Sequence, residues 1–333
     1  MAVSFSLVDR SGFSTEASGI LEEAWEFPTL RYTSAYLGWQ LSFPSAVELP
    51  AVAAFEGGDS VGFAGATARR LRHGSANVDV AVVSFVAVRP AWRGQGVASG
   101  LYRVLLKALA DLDVPVITFG IPGSGGDKTL LRAYPEAGFQ MQVMGSYDNY
   151  AFVSRQEKAP EKAPEKAHGE WTAYFTEDAG ALSSLAAQLA LGDRSVLLSV
   201  PDNGQIDHYF SDPRPRKLIV VEHASAGICG AGFIVHSELR TVQGISRAAT
   251  LDSLWMPSDA SGGLRTLLRL ASAAWPSSSG SGAVVMCPNL SGFDPTVLKT
   301  VGVRKTGAQF SGYFCTPGQR LGLTPERTNL EII

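Results

Sequence analysis

The sequence predicts an α+β protein in which one order of strands and helices occurs twice. Three observations carry this reading. The chain has 333 residues, about twice a common domain length. The segment EKAPEKAPEKA, Glu157 to Ala167, divides it into comparable halves. Similar runs of strand and helix patterns lie on either side. Pro160 and Pro164 forbid a continuous helix in that segment and its charges keep it in water, so it is expected to be an extended tether. Residues 1–155 and 170–333 are then expected to form two units, with 156–169 as the linker.

In the first half, Val3 to Val8 reads as a strand and Thr15 to Glu26 as a helix, followed by an aromatic-rich stretch with Trp25, Phe27, Tyr32, Tyr36 and Trp39. Strands at Leu49 to Phe55 and Ser60 to Arg70 flank a Gly57-Gly58-Asp59 hairpin turn. Val78 to Val88 is an apolar strand, Arg89 to Gln95 a turn, and Gly96 to Leu112 has helical periodicity through Val97, Leu101, Val104, Leu105, Ala108 and Leu112. A strand at Val114 to Gly120, a helix over about Asp127 to Ala137, and strands at Phe139 to Val143 and Ser146 to Phe152 complete the half.

The second half is expected to follow the same order. Trp171 to Phe175 is a strand, Glu177 to Leu191 a helix, and Leu218 to His223 with Ile228 to Val235 a hairpin. A strand near Ala249 to Met256, a helix at Leu264 to Trp275, a strand at Ala283 to Cys287, a short helix at Pro295 to Val301 and a last strand at Phe310 to Cys315 follow.

Charged residues make up 18% of the chain and hydrophobic ones 45%, which excludes a largely disordered protein. Lys and Arg total 28 against 31 for Asp and Glu, so a net charge of −3 gives no electrostatic footprint for nucleic acid or an anionic membrane. A small-molecule partner is expected. The richest apolar run, Val78 to Val88, is strand-length and carries Asp79 and Ser84, so no membrane span is expected. Met1 to Gly12 has no basic segment followed by an apolar one, which points to the cytoplasm. Cys229, Cys287 and Cys315 are odd in number and widely spaced, and read as buried thiols. The five histidines form no ligand pair at helical spacing, so no metal is expected.

The segment that carries chemistry is Val86-Ala87-Val88-Arg89-Pro90-Ala91-Trp92-Arg93-Gly94-Gln95-Gly96-Val97-Ala98, a strand ending in a glycine turn that opens a helix. Unpaired N–H groups and the positive end of the helix dipole make such a start an anion cradle. Gly94 and Gly96 let the backbone approach phosphate oxygens, Ala98 keeps the first turn uncrowded, and Arg93 adds a charge-assisted contact.

This loop resembles the acyl-CoA signature of the GNAT superfamily of N-acetyltransferases, met here by Arg93, Gly96 and Ala98. Leu131 to Phe139 resembles the family segment in which a Tyr precedes a Gly-Phe pair by four residues. The resemblance implies two tandem GNAT folds, each a mixed, mostly antiparallel sheet flanked by helices, with acetyl-CoA as co-substrate and no metal. It implies that backbone groups of Val86, Ala87 and Val88 pair with the acetyl and pantetheine portion, and that amides of Arg93, Gly94, Gln95, Gly96, Val97 and Ala98 take the pyrophosphate. Asp127 stands where the family often has Asn for cofactor contacts. Tyr134 is the implied general acid for the departing thiolate. Asp79 is the candidate base, with Glu26, Tyr32, Tyr36 and Asp148 as alternatives.

The equivalent segment of the second half, Leu254 to Arg265, aligns Pro257 with Pro90 and thereby puts Ala260 at the place of Arg93. Leu298 stands at the place of Tyr134, four residues before Gly302. The second half is expected to keep the fold without the signature. The resemblance implies an acetyl-CoA-dependent N-acyltransferase acting on a small-molecule amine with chemistry in the first half. Tandem GNAT proteins also serve actinobacterial secondary metabolism, clavulanic acid biosynthesis included, which implies a role in antibiotic or other secondary metabolism. The alternative is a non-catalytic acyl-CoA-binding or regulatory protein.

Overall fold

A computed structural model of the chain describes residues 2–26, 28–73, 75–153, 170–178, 180, 182, 185, 189, 196–199, 201–274, 284–287, 290, 293–318 and 327–329. The tether at 156–169 and most of the helix expected over Glu177 to Leu191 lie outside the described residues.

The first half runs β1 (Ser4–Leu7), α1 (Ser14–Ala24), β2 (Thr29–Leu30), α2 (Ser34–Leu41), β3 (Ala51–Glu56), β4 (Asp59–His73), β5 (Ala76–Val88), α3 (Val97–Asp111), β6 (Val116–Gly120), α4 (Gly125–Glu136) and β7 (Phe139–Val153). The second runs β8 (Trp171–Thr176), β9 (Val196–Ser199), α5 (Asn203–Phe210), β10 (Arg216–His223), β11 (Gly227–Thr241), β12 (Gly244–Trp255), α6 (Ser261–Ala274), β13 (Val284–Cys287), α7 (Pro295–Val301), β14 (Val303–Pro317) and β15 (Arg327–Asn329).

One sheet runs through both halves in the order β1-β3-β4-β5-β6-β14-β7-β13-β12-β11-β10-β8. Most neighbours are antiparallel, and β5 with β6 and β12 with β13 are parallel. The two last strands have changed places. β14 of the second half pairs with β6, Ser311 facing Gly120 and Cys315 facing Val116, while β7 of the first half pairs with β13. β7 and β14 also pair with each other along their length. The two short strands expected over 139–152 are therefore one strand, irregular where Gly145 (φ 140°) meets Gly312.

Further contacts between the halves are reciprocal. β2 pairs with the tip of β11 (Leu239 with Leu30), and β9 pairs with the tip of β4 (Leu71 with Ser199). The Trp39 indole N–H donates to the His208 carbonyl (2.8 Å), and His208 Nε2 lies 2.9 Å from the Trp39 carbonyl. The two rings stack at 4.8 Å.

α3 shows why the site region is rigid. Val97, Leu101, Leu105 and Leu109 recur every fourth residue and are buried against the sheet. Gly100 admits Phe5 so closely that a Cβ there would stand 2.1 Å from the ring. Of the three cysteines expected to be buried, Cys287 and Cys315 are, whereas Cys229, near the start of β11, is only half-buried.

Candidate active site

Parallel pairing of β5 with β6 covers only Ala81–Val116, Val82–Ile117 and Val83–Thr118. Ser84 then stands as an extra residue in β5, where the register with β4 shifts, and the two strands part. Val86, Ala87 and Val88 continue β5 beyond the last pair, still bonded to β4 on the other side. Their outer backbone groups face the widening gap, where a ligand can add as a strand.

The chain leaves β5 through a 3-10 turn, Pro90–Trp92, and reaches α3 with Gly94 at φ 76° and Gly96 at φ 81°. Both glycines are needed for conformation, because a Cβ at either would meet nothing within 4 Å. Open space thus lies over the start of α3. The first intrahelical bond runs from the Gly100 N–H to the Gly96 carbonyl, and no side chain caps the helix. The amides of Val97, Ala98 and Ser99 are left pointing outward. Arg93 is tied to the end of α1, donating to the Ala24 carbonyl with Glu26 at 3.5 Å. Gln95 donates to the Ala91 carbonyl (3.0 Å) and braces the turn.

Tyr134 lies on α4, fully buried. Its hydroxyl makes no hydrogen bond, and Thr118 beside it donates its own hydroxyl to the Val83 carbonyl (3.2 Å). Val83 and Thr118 are the last paired residues before the strands part, so the Tyr134 hydroxyl sits at the apex of the gap. Burial pushes this phenol well above its ordinary value, with Cys315 and Tyr102 adding to the effect and Thr118 opposing it. The phenol stays protonated.

Asp127 caps α4. Its N–H donates to Ser124 Oγ (3.1 Å), its Oδ2 accepts from the Gly123 N–H (3.1 Å), and its Oδ1 accepts from the Tyr313 hydroxyl (3.2 Å). The carboxylate is committed to protein groups, which differs from the cofactor contact that the sequence implied. Asp79 lies about nine residues, roughly 30 Å, down β5 from Val88. There it pairs with Arg70 (2.9 Å), which also holds Asp202 (2.7 Å). It borders a cavity of about 180 Å³ with Pro44, Leu49, Arg69 and Gln205, remote from the gap. The structure puts Tyr134 beside Thr118, where the β5–β6 pairing ends, and ties Asp79 to Arg70 instead.

Among the other carboxylates and phenols, Glu26 is exposed beside Arg93 and Asp148 is paired with Lys305 (2.6 Å). Tyr32 packs edge-on against Phe85 at 5.4 Å, just past Ser84. Tyr36 lies under the Arg214 guanidinium at 3.5 Å. Arg214 belongs to a buried charge cluster that sequence reading missed. Asp212 holds Arg214 (2.8 Å) and Arg216 (3.0 Å), and Asp252 holds Arg216 (2.5 Å). Only the near repetition of Arg and Asp in Asp212-Pro213-Arg214-Pro215-Arg216 hinted at it.

Residues 15–139, which span the glycine loop and Tyr134, match the model of the acetyltransferase (GNAT) family. The match lies wholly within the first half of the chain. The whole chain is similar in fold to Saccharomyces cerevisiae N-myristoyltransferase with bound myristoyl-CoA, at a TM-score of 0.67 and 12% identity, covering 100% of this chain and 85% of that one. It is also similar to a GCN5-related N-acetyltransferase from Anabaena variabilis, at a TM-score of 0.55 and 14% identity over 94% of this chain and 72% of the other. No curated protein matches the chain. The family match supports an acyltransferase.

Proposed function

We propose that the chain transfers an acetyl group from acetyl-CoA to an amine of a small metabolite, by direct attack on the thioester, in the first half. The carrying observation is the conjunction of the open, uncapped start of α3 with the unpartnered Tyr134 hydroxyl at the apex of the β5–β6 gap. Amides from Gly94 to Ala98 receive the pyrophosphate, and β5 beyond Val83 aligns the pantetheine arm. A backbone N–H of β5 just past the apex stabilises the oxyanion, and Tyr134 gives its proton to the leaving thiolate. Asp79, the sole acidic residue of β5, is at the wrong end of the strand, so the amine reacts as its free base. A place in secondary metabolism rests on the tandem resemblance.

The test is equilibrium binding and turnover by the purified chain. One equivalent of acetyl-CoA should bind, and a library of small amines should yield an acetylated product. Binding with no acetylated amine would favour the non-catalytic acyl-CoA-binding reading, and no binding would reject both.

A further inference from the structure

A strand from the second half reaches the surroundings of Tyr134. β14 reaches β6 from the far end of the chain, and its residues two apart lie on one face. Tyr313 and Cys315 are such a pair. Tyr313 donates its hydroxyl to Asp127 Oδ1 at 3.2 Å, across 186 residues of sequence. Cys315, fully buried, lies beside the Tyr134 ring system, within reach of its hydroxyl's field.

Asp127 and Tyr134 stand seven residues apart on α4, two turns along the same face. Asp127 is held from three sides: its carboxylate accepts from the Gly123 amide and the Tyr313 hydroxyl, and its backbone N–H donates to the Ser124 cap. Gly120, at the end of β6, has no side chain there because a Cβ would stand 2.3 Å from Asp127 Oδ1. The Asp127 carboxylate is therefore gripped between the end of β6 and the phenol of β14. Tyr134 has no hydrogen bond of its own to fix its hydroxyl. Its position depends on where α4 is seated.

We propose that Tyr313 and Asp127 are positioning residues for acyl transfer: their bond seats α4 so that the Tyr134 hydroxyl faces the thioester sulfur, and the first-half site is incomplete without β14. This rests on the acid role given to Tyr134 above. The second half thus contributes to catalysis through β14.

The test uses the full chain with acetyl-CoA and hydroxylamine as a surrogate nucleophile. Tyr313→Phe should lower kcat about tenfold, the loss of one hydrogen bond's worth of barrier, with KM for acetyl-CoA unchanged. In a Tyr134→Phe background the same substitution should have no further effect. Asp127→Asn, which keeps an acceptor oxygen, should lose less than Asp127→Ala. Hydrogen exchange of the Gly125–Glu136 amides should rise in Tyr313→Phe, with α3 unaffected. A tenfold loss that adds to Tyr134→Phe, a rise in KM alone, or unchanged α4 exchange would overturn the proposal. If instead Tyr134→Phe itself leaves kcat unchanged while α4 exchange still responds to Tyr313→Phe, the acid role fails and the seating of α4 stands. A wild type silent in turnover would overturn the acyl-transfer reading, and exchange would still decide the seating.

Discussion

The starts of α3 and α6 follow equivalent strands and differ in what covers them. Over α3, a Cβ placed on Gly94 or Gly96 meets nothing. Over α6, the Trp171 indole sits so close that a Cβ on Gly262 would lie 2.5 Å from it and one on Gly263 2.9 Å. Glycine serves backbone conformation and ligand access in the first case, and aromatic packing in the second. The irregular positions of the sheet differ likewise. Ser84 of β5 is uncharged, while Asp252, the extra residue of β12, is locked to Arg216. A buried ion pair needs both partners, so Asp252 is structural. At these two places the second half is filled by its own packing.

Alkaline pH should separate the halves most. Burial raises the phenols of Tyr32, Tyr36, Tyr102 and Tyr134 strongly, all in the first half, while those of Tyr174 and Tyr313 in the second half rise less. The unfolded chain ionises them near the ordinary value of about 10, and the folded chain keeps them neutral. Their contribution is complete below about pH 10 and is lost as pH rises beyond it, by about 1 kcal/mol per tyrosine for each pH unit. Thermal unfolding from pH 9 to 11.5 should show the midpoint falling above 10, with hydrogen exchange rising in the first half before the second.

Gly96→Glu should weaken acetyl-CoA binding at least a hundredfold, about 3 kcal/mol, by strained backbone and charge repulsion at the cradle. Calorimetric titration reads this directly, and retained affinity would remove the cradle from α3. A gentler pair sharpens the same contrast. Gly263→Ala should cost about 1–3 kcal/mol of stability by crowding Trp171, with acetyl-CoA affinity unchanged. Gly96→Ala should cost about 1–2 kcal/mol for a side chain at positive φ and also weaken binding. If the two variants gave the same pattern of Tm and Kd, the difference between the helix starts would have no functional meaning. Smallest is Trp39→Phe, which removes the N–H bonded to the His208 carbonyl and should cost about 1 kcal/mol in denaturant titration.

What could be read from the sequence was local. The apolar strand, glycine turn and periodic helix over 78–112 carry their own signals, as does Tyr134 on its short amphipathic helix. α2 was hidden because Tyr36 and Trp39 read as part of an aromatic-rich stretch, and its cap is a single Thr33 hydroxyl. The partner of Asp79 depends on strand register, since Arg70 faces it across β4 and β5. Asp127 was read as a ligand contact because Tyr313, which claims it, is far away in sequence. The alignment of Pro257 with Pro90 was one residue out. The sheet matches Trp255, opposite Ala231, with Ala87, opposite Phe63. Pairings of such long range leave no periodic mark.

The changed places of β7 and β14 also govern the order in which the protein can be made. The open edge of β6 must wait on the ribosome until residues 311–315 have emerged, with apolar Val116 and Ile117 exposed in the interval. Such distant closure slows folding. A chain cut between the halves would release two incomplete sheets, each seeking its missing strand in another molecule.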